Sequence, residues 1–250
     1  MPQMLVFVSS PTRYASNINV NEIPQLLLLL SLLQLNRLLP VAVAIMKRNN
    51  VLDTRKVFGV MSFDAMSAGL AGAKVRRLES GSAHVPIIGG HSPNSTVPLY
   101  SQIRPHVEFT KEEQLELTDK VRKAYSEVVS VKEGRGTATL SMAHSVYHFV
   151  QKLLDAMHGV PGVVSCALVR SDITPARFFC NPLLLGVSLF VEINFETLIL
   201  YLFCQSNGME ANLGIGPIND VEKELLAKAI VSLQEDCKVG EAWVEANVKE

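Results

Sequence analysis

The spacing of apolar positions changes several times along this chain, and each change predicts an element. Residues 41–49 read as the last turns of a helix, and the continuous apolar run 57–63 reads as a buried strand. A second short apolar run covers 85–90. Thr110-x-x-Glu113 is a capping box, in which the hydroxyl and the carboxylate satisfy free backbone N–H groups reciprocally; Leu117, Val121, Ala124 and Val128 then follow at helical spacing. Another helix is predicted over about 137–157, with Leu140, Ala143, Val146, Val150, Leu153 and Met157 on its apolar face and Gly159 as its stop. The β-rich segments 163–169 and 178–185 are close enough in sequence to pair. Asn219-x-x-Glu222 is a second capping box, opening a helix through Leu225, Ile230 and Leu233. The order predicts a mixed α/β (α+β) fold with antiparallel pairing in the second half, and no internal repeat is present.

Composition narrows the class. At 250 residues and 27.4 kDa, with 48% hydrophobic and 19% charged residues, the chain can bury a substantial core and is not disordered. A net charge of −1 and a pI near 6.6 give no electrostatic case for a nucleic-acid or anionic-membrane partner. Cys166, Cys180, Cys204 and Cys237 are scattered without a CxxC pair, so neither zinc nor a disulfide framework is expected and a reducing compartment is the default. The apolar run 26–33 is too short to cross a bilayer, and 189–204 is interrupted by Glu192, Asn194 and Glu196. Neither a secretory signal nor an Arg-rich presequence is visible.

The two early apolar runs end in reactive side chains, Asp64 and His91. A carboxylate aimed at a histidine fixes its tautomer and stabilises the imidazolium, which makes the ring a usable proton carrier near neutral pH. The remaining histidines, His84, His106, His144, His148 and His158, form no metal spacing; His144 and His148 share a helical face but no third ligand is placed. Arg76 and Arg77 read as solvated helix residues, Met142 as a residue of an apolar helical face, and Trp243 as a packing anchor.

Around His91 the words VPIIGGHSPNSTVP (85–98) resemble the catalytic-histidine motif of the malate dehydrogenases, in the mitochondrial and bacterial branch of the lactate/malate dehydrogenase family. ATLSMA (138–143) and NLGIG (212–216) follow in the family's order, and the Asp64-to-His91 spacing is also the family's. The resemblance runs from about residue 38 to the C-terminus. It implies the catalytic domain of the lactate/malate dehydrogenase fold. It implies that His91 takes the hydroxyl proton of malate as hydride passes to NAD, giving oxaloacetate, with Asp64 as its carboxylate partner. Of three substrate-gripping arginines in the family, the third falls on Ser67 here. Met142 matches the methionine that approaches the nicotinamide, Ser10 stands where the family has a cofactor-proximal Asn, and Pro93 stands where it usually has Gly. A homodimer or heterodimer and the mitochondrial matrix are further implications of the resemblance. The GGH and NLGIG words favour malate over lactate.

No G-x-G-x-x-G occurs in the 250 residues, so the turn that seats the pyrophosphate of NAD is not visible and the family's cofactor-binding half is expected to be largely missing. Residues 1–39 are expected to be an unmatched or vestigial segment and 40–250 the catalytic domain. The alternative to an enzyme is a non-catalytic, divergent duplicate that acts as an interaction or dimer partner. Two segments break the resemblance. Residues 187–205, rich in Leu, Phe, Ile, Tyr and Asn, separate LLLG (183–186) from SNGMEAN (206–212), and deleting them restores the family spacing. Val187-Ser188 can be encoded as an intron donor and Phe203-Cys204-Gln205 as an acceptor. Residues 12–34 interrupt the N-terminus in a similar way. Residues 187–205 are expected to be a retained intron, the alternative being a genuine insertion such as an extra hairpin strand; residues 12–34 are expected to be a retained intron or a mispredicted first exon; both are expected to lie outside the core packing or to be poorly ordered.

Overall fold

The computed structural model describes the backbone of residues 4–8, 26–30, 34–133, 135–194 and 199–247, and side chains over 29–30, 34–133, 135–186 and 208–247. Its strands are β1 (Met4–Val8), β2 (Leu26–Leu30), β3 (Val57–Val60), β4 (Ile87–Gly89), β5 (Thr96–Pro98), β6 (Val163–Arg170), β7 (Phe178–Asn194) and β8 (Ile199–Asn212). Its helices are α1 (Leu35–Arg48), α2 (Ser62–Arg76), α3 (Lys111–Val131), α4 (Thr139–Met157) and α5 (Asp220–Asn247). The strands form one sheet in the order β1-β2-β3-β6-β7-β4-β5, with β8 also paired to β7. β1, β2 and β3 run parallel, and every later pairing is antiparallel.

The period-two alternation of each strand divides the core. On β3, Val57 packs with Leu35, Leu39 and Val43 of α1, while Phe58 and Val60 pack with Phe149 and Leu153 of α4. The rings of Phe58 and Phe149 lie 5.7 Å apart, tilted by 58°. Ile88 of β4 and Phe179 of β7 pack instead with Val221, Leu225 and Leu233 of α5. Both capping boxes form: Glu113 N–H donates to Thr110 Oγ1, Thr110 N–H donates to Glu113 Oε2, and Asn219 and Glu222 exchange the same pair. β6 and β7 pair throughout, from Val163 opposite Leu185 to Arg170 opposite Phe178.

Five expectations are corrected. The run 57–63 is not all strand: it stops at Val60 and α2 begins at Ser62. A run buried on every side has no period to separate strand from helix, and here tertiary burial of both halves decides. Leu140, expected on the apolar face of α4, is 82% exposed, and Trp243 is 49% exposed rather than anchored. Arg76 is not solvated. It donates to Glu113 and to the carbonyl of Glu108, and its guanidinium lies 4.3 Å from the centre of the Phe109 ring. The 12–34 segment does not lie wholly outside the packing either: Leu26–Leu30 is a strand between β1 and β3, with Leu29 and Leu30 buried, because a leucine run can cover both faces of a central strand.

Residues 187–194 and 199–205 form the far arm of the β7–β8 pair. Register irregularities lie at Leu184/Leu185 and Gly186/Val187, and between them Gly186 pairs with Gly208. Removing 187–205 leaves only Ser206 and Asn207 between these paired glycines, the length of a tight hairpin connection. We expect the deleted chain to unfold cooperatively at a midpoint no lower than that of the full chain, by circular dichroism. Loss of the cooperative transition would make the far arm a required element.

Candidate active site

β3 feeds directly into α2, and this places Asp64 in the helix's first turn. A carboxylate there is favoured by the unpaired N–H groups and the dipole of the helix start. The partner comes from the loop after β4. Gly89, at φ +93°, turns the chain out of the strand. The loop then closes on itself: Gly90 N–H donates to Ser95 O at 2.9 Å, Thr96 N–H to Ser92 O at 3.1 Å, and Thr96 Oγ1 to Gly90 O at 2.8 Å. His91 projects from this loop with Nδ1 2.7 Å from Asp64 Oδ2. The two side chains are 12% and 6% exposed.

With Asp64 ionised, Nδ1 carries the hydrogen and donates it, leaving Nε2 as the ring nitrogen that can take or give a proton. Burial works against the imidazolium, but the charge of Asp64 and its hydrogen bond together outweigh it, so the His91 pKa is raised above the ordinary histidine value. The sign of the linkage follows. A raised folded-state pKa gives stability that is full below the unfolded value, about 6.5, and is lost as pH rises through the folded value. The stability difference between the parent chain and Asp64→Asn, measured by urea unfolding, is therefore expected to be larger near pH 5.5 than near pH 9. A difference independent of pH would remove the charged dyad from the account.

Ser67 lies one turn beyond Asp64 on α2 and lines a cavity of about 1090 Å³ between α2, α3 and α4, together with Lys74, Lys120 and Ser141. A hydroxyl there cannot give the planar, charged, bidentate grip that an arginine gives a carboxylate. Met142 is half-buried on α4 beside Ser141. Ser10 lies outside the described residues. His144 and His148 stack edge to face at 4.6 Å, and no group of three or more potential metal ligands occurs among the described residues.

Several residues that shape the site carried no signal in the sequence. Half-buried Cys166 and buried Cys180 both bond to β4: Ile87 N–H donates to Cys166 Sγ at 3.4 Å and the Cys180 thiol donates to Ile87 O at 3.3 Å. Burial pushes both thiols up in pKa, which disfavours the reactive thiolate. Arg122 Nε donates to Thr96 O at 2.9 Å from α3. Asn36, at the start of α1, accepts the His91 backbone N–H at 2.8 Å. Each acts across a long sequence separation, where local pattern has nothing to say.

The model of the lactate/malate dehydrogenase α/β C-terminal domain matches residues 62–244. The chain belongs to the lactate/malate dehydrogenase family. Over 210 residues it is 37% identical to mitochondrial malate dehydrogenase of Bos taurus and 36% identical to that of Homo sapiens, covering 84% of this chain and 56% of each relative. The chain thus spans a little over half the length of these curated relatives. Two solved structures share the fold: Cryptosporidium parvum malate dehydrogenase, at TM-score 0.68 and 17% identity over 90% of this chain and 67% of that one, and the lactate dehydrogenase of the same organism, at TM-score 0.65 and 17% identity over 88% and 68%. The match to the lactate/malate dehydrogenase domain takes in Asp64, Ser67, His91 and Met142 and leaves Ser10 and Asn36 outside it. No described helix is long and apolar enough to cross a membrane.

Proposed function

We propose that this chain carries the proton-transferring part of a malate dehydrogenase active site. The observation behind this reading is the buried contact of 2.7 Å between His91 Nδ1 and Asp64 Oδ2. In the oxidising direction Nε2 accepts the proton of the malate C2 hydroxyl. In the reverse direction the imidazolium returns it to the carbonyl oxygen of oxaloacetate. Asp64 holds the tautomer and stabilises the cation formed on the ring. Its effect on the ring keeps the acid form populated to higher pH, which suits protonation of oxaloacetate and requires alkaline conditions for malate oxidation.

NAD would be the hydride acceptor, but the described residues do not fit a dinucleotide. Met61, which joins β3 to α2, is fully buried and is no glycine turn. Gly214 and Gly216 do lie between β8 and α5. The helix start they meet is already filled by Asn219 and Glu222 and carries Asp220, an arrangement that repels phosphate. The hydride half of the reaction is therefore not assigned to these residues. Ser67 leaves a substrate carboxylate without its arginine. On this reading the chain alone is inactive or weakly active on malate, and a mitochondrial location follows the names of its relatives. A second reading, a non-catalytic partner subunit, is favoured by the exposed Leu70, Leu140 and Tyr147 on α2 and α4, at 48%, 82% and 59%. NADH formation from malate by the chain fused behind a family cofactor domain, with Ser67→Arg, separates the two. Turnover abolished by His91→Asn supports the first; none in any fusion supports the second.

A further inference from the structure

We propose that Asn36 is the positioning residue of His91, its amide fixing the loop that carries the imidazole and tying that loop to the contact between α1 and α5. The proposal rests on the reading of His91 as the proton carrier. Asn36 is only 2% exposed, and its side-chain amide makes three hydrogen bonds to the protein. Oδ1 accepts the backbone N–H of His91 at 2.8 Å, and Nδ2 donates to Ser95 Oγ at 3.1 Å and to Asp236 Oδ2 at 3.0 Å. The orientation of the amide is fixed by its partners, since a backbone N–H only donates and a carboxylate only accepts; flipping it breaks both bonds.

The need for such a group follows from the loop. β4 ends at Gly89, so the N–H of His91 has no strand partner, and a buried N–H left unpaired is costly. The second glycine of the GGH word is the slot for the amide. A Cβ at Gly90 would lie 2.6 Å from Asn36 Oδ1 and 2.9 Å from Ser95 Oγ, and also 2.5 Å from Leu233 Cδ2 of α5. Beyond Asn36, Asp236 on α5 also receives Arg37 Nε at 2.7 Å, so the line His91–Asn36–Asp236–Arg37 joins the loop to both helices. Docking of α1 does not by itself require this polar group: Leu35, Leu39 and Val43 are buried against the sheet, and Gly240 of α5 lets the carbonyl of Arg37 approach to 2.4 Å from where a Cβ would stand.

The test is an NMR titration of the His91 ring in the full chain. Asn36→Ala is expected to move its midpoint down toward the ordinary histidine value, because the ring is no longer held against Asp64. The exchange Asn36→Asp with Asp236→Asn reverses donor and acceptor while keeping every bond: the new carboxylate accepts from His91, Ser95 and the new amide, whose oxygen accepts Arg37. It is expected to hold the midpoint at or above that of the parent. Leu39→Ala, a packing change in α1, is expected to lower Tm and leave the midpoint where it is. An unmoved midpoint in folded Asn36→Ala overturns the proposal. If Asn36→Ala does not fold, the exchange decides: a folded chain with the midpoint kept supports it, and an unfolded chain or a lowered midpoint overturns it. The readout is on the ring, so missing turnover in the fusion to a cofactor domain defeats the functional reading and leaves the positioning result intact.

Discussion

Incubated with malate and NAD, the unmodified chain is expected to form no NADH above background. The magnitudes make this the largest effect. Holding hydride donor and acceptor in register contributes about 7–11 kcal/mol to such reactions, and the described residues provide no seat for the acceptor. On the proposed reading Ser67 stands where the family grips the substrate with an arginine, and a lost charged hydrogen bond costs about 1.5–3 kcal/mol, or roughly 10- to 150-fold in kcat/KM. The dyad can contribute only its own share, of order 10²–10⁴-fold for positioned acid–base catalysis. Fusion to a family cofactor domain is expected to give weak turnover, Ser67→Arg in the fusion to raise it by the factor above, and His91→Asn to abolish it. Turnover by the unmodified chain that disappears in His91→Asn would overturn the expectation and show a complete enzyme.

Gly89→Ala is expected to be the most damaging single substitution for stability. The residue sits at φ +93°, where an L side chain is strained, and an added Cβ would lie 2.0 Å from the backbone oxygen of Ser95. Strain of about 1–3 kcal/mol and overpacking of about 1–3 kcal/mol act together, because the obstacle is backbone and cannot rotate away. A loss of about 2–6 kcal/mol is a large part of the stability of an ordinary domain. Gly159 is the control: φ is +85° but nothing lies within 4 Å of an added Cβ, so Gly159→Ala meets the strain alone. Urea unfolding compares them, and equal losses would remove the close approach of Ser95 from the explanation.

Chemistry that lies within a few residues was legible in the sequence. Thr110 and Glu113, like Asn219 and Glu222, announce helix starts because the capping partners are three residues apart. The β-rich segments around Cys166 and Cys180 pair as expected because a short connection brings them side by side. The words around His91 carried the family. What the tertiary structure alone decided is where pattern is silent. The run 57–63 is apolar throughout, so its change from strand to helix at Met61 depended on what surrounds each half. Arg76 reads as a surface cation until α3 brings Glu113 beside it. Leu29 and Leu30 read as part of an unmatched run until β1 and β3 flank them. Asn36 reads as an ordinary helix residue, yet its three partners lie 55, 59 and 200 residues away. Local sequence encodes hydrogen bonds that close within a turn; those that fix the His91 loop close only when α1, α5 and the sheet have packed, so their meaning belongs to the fold.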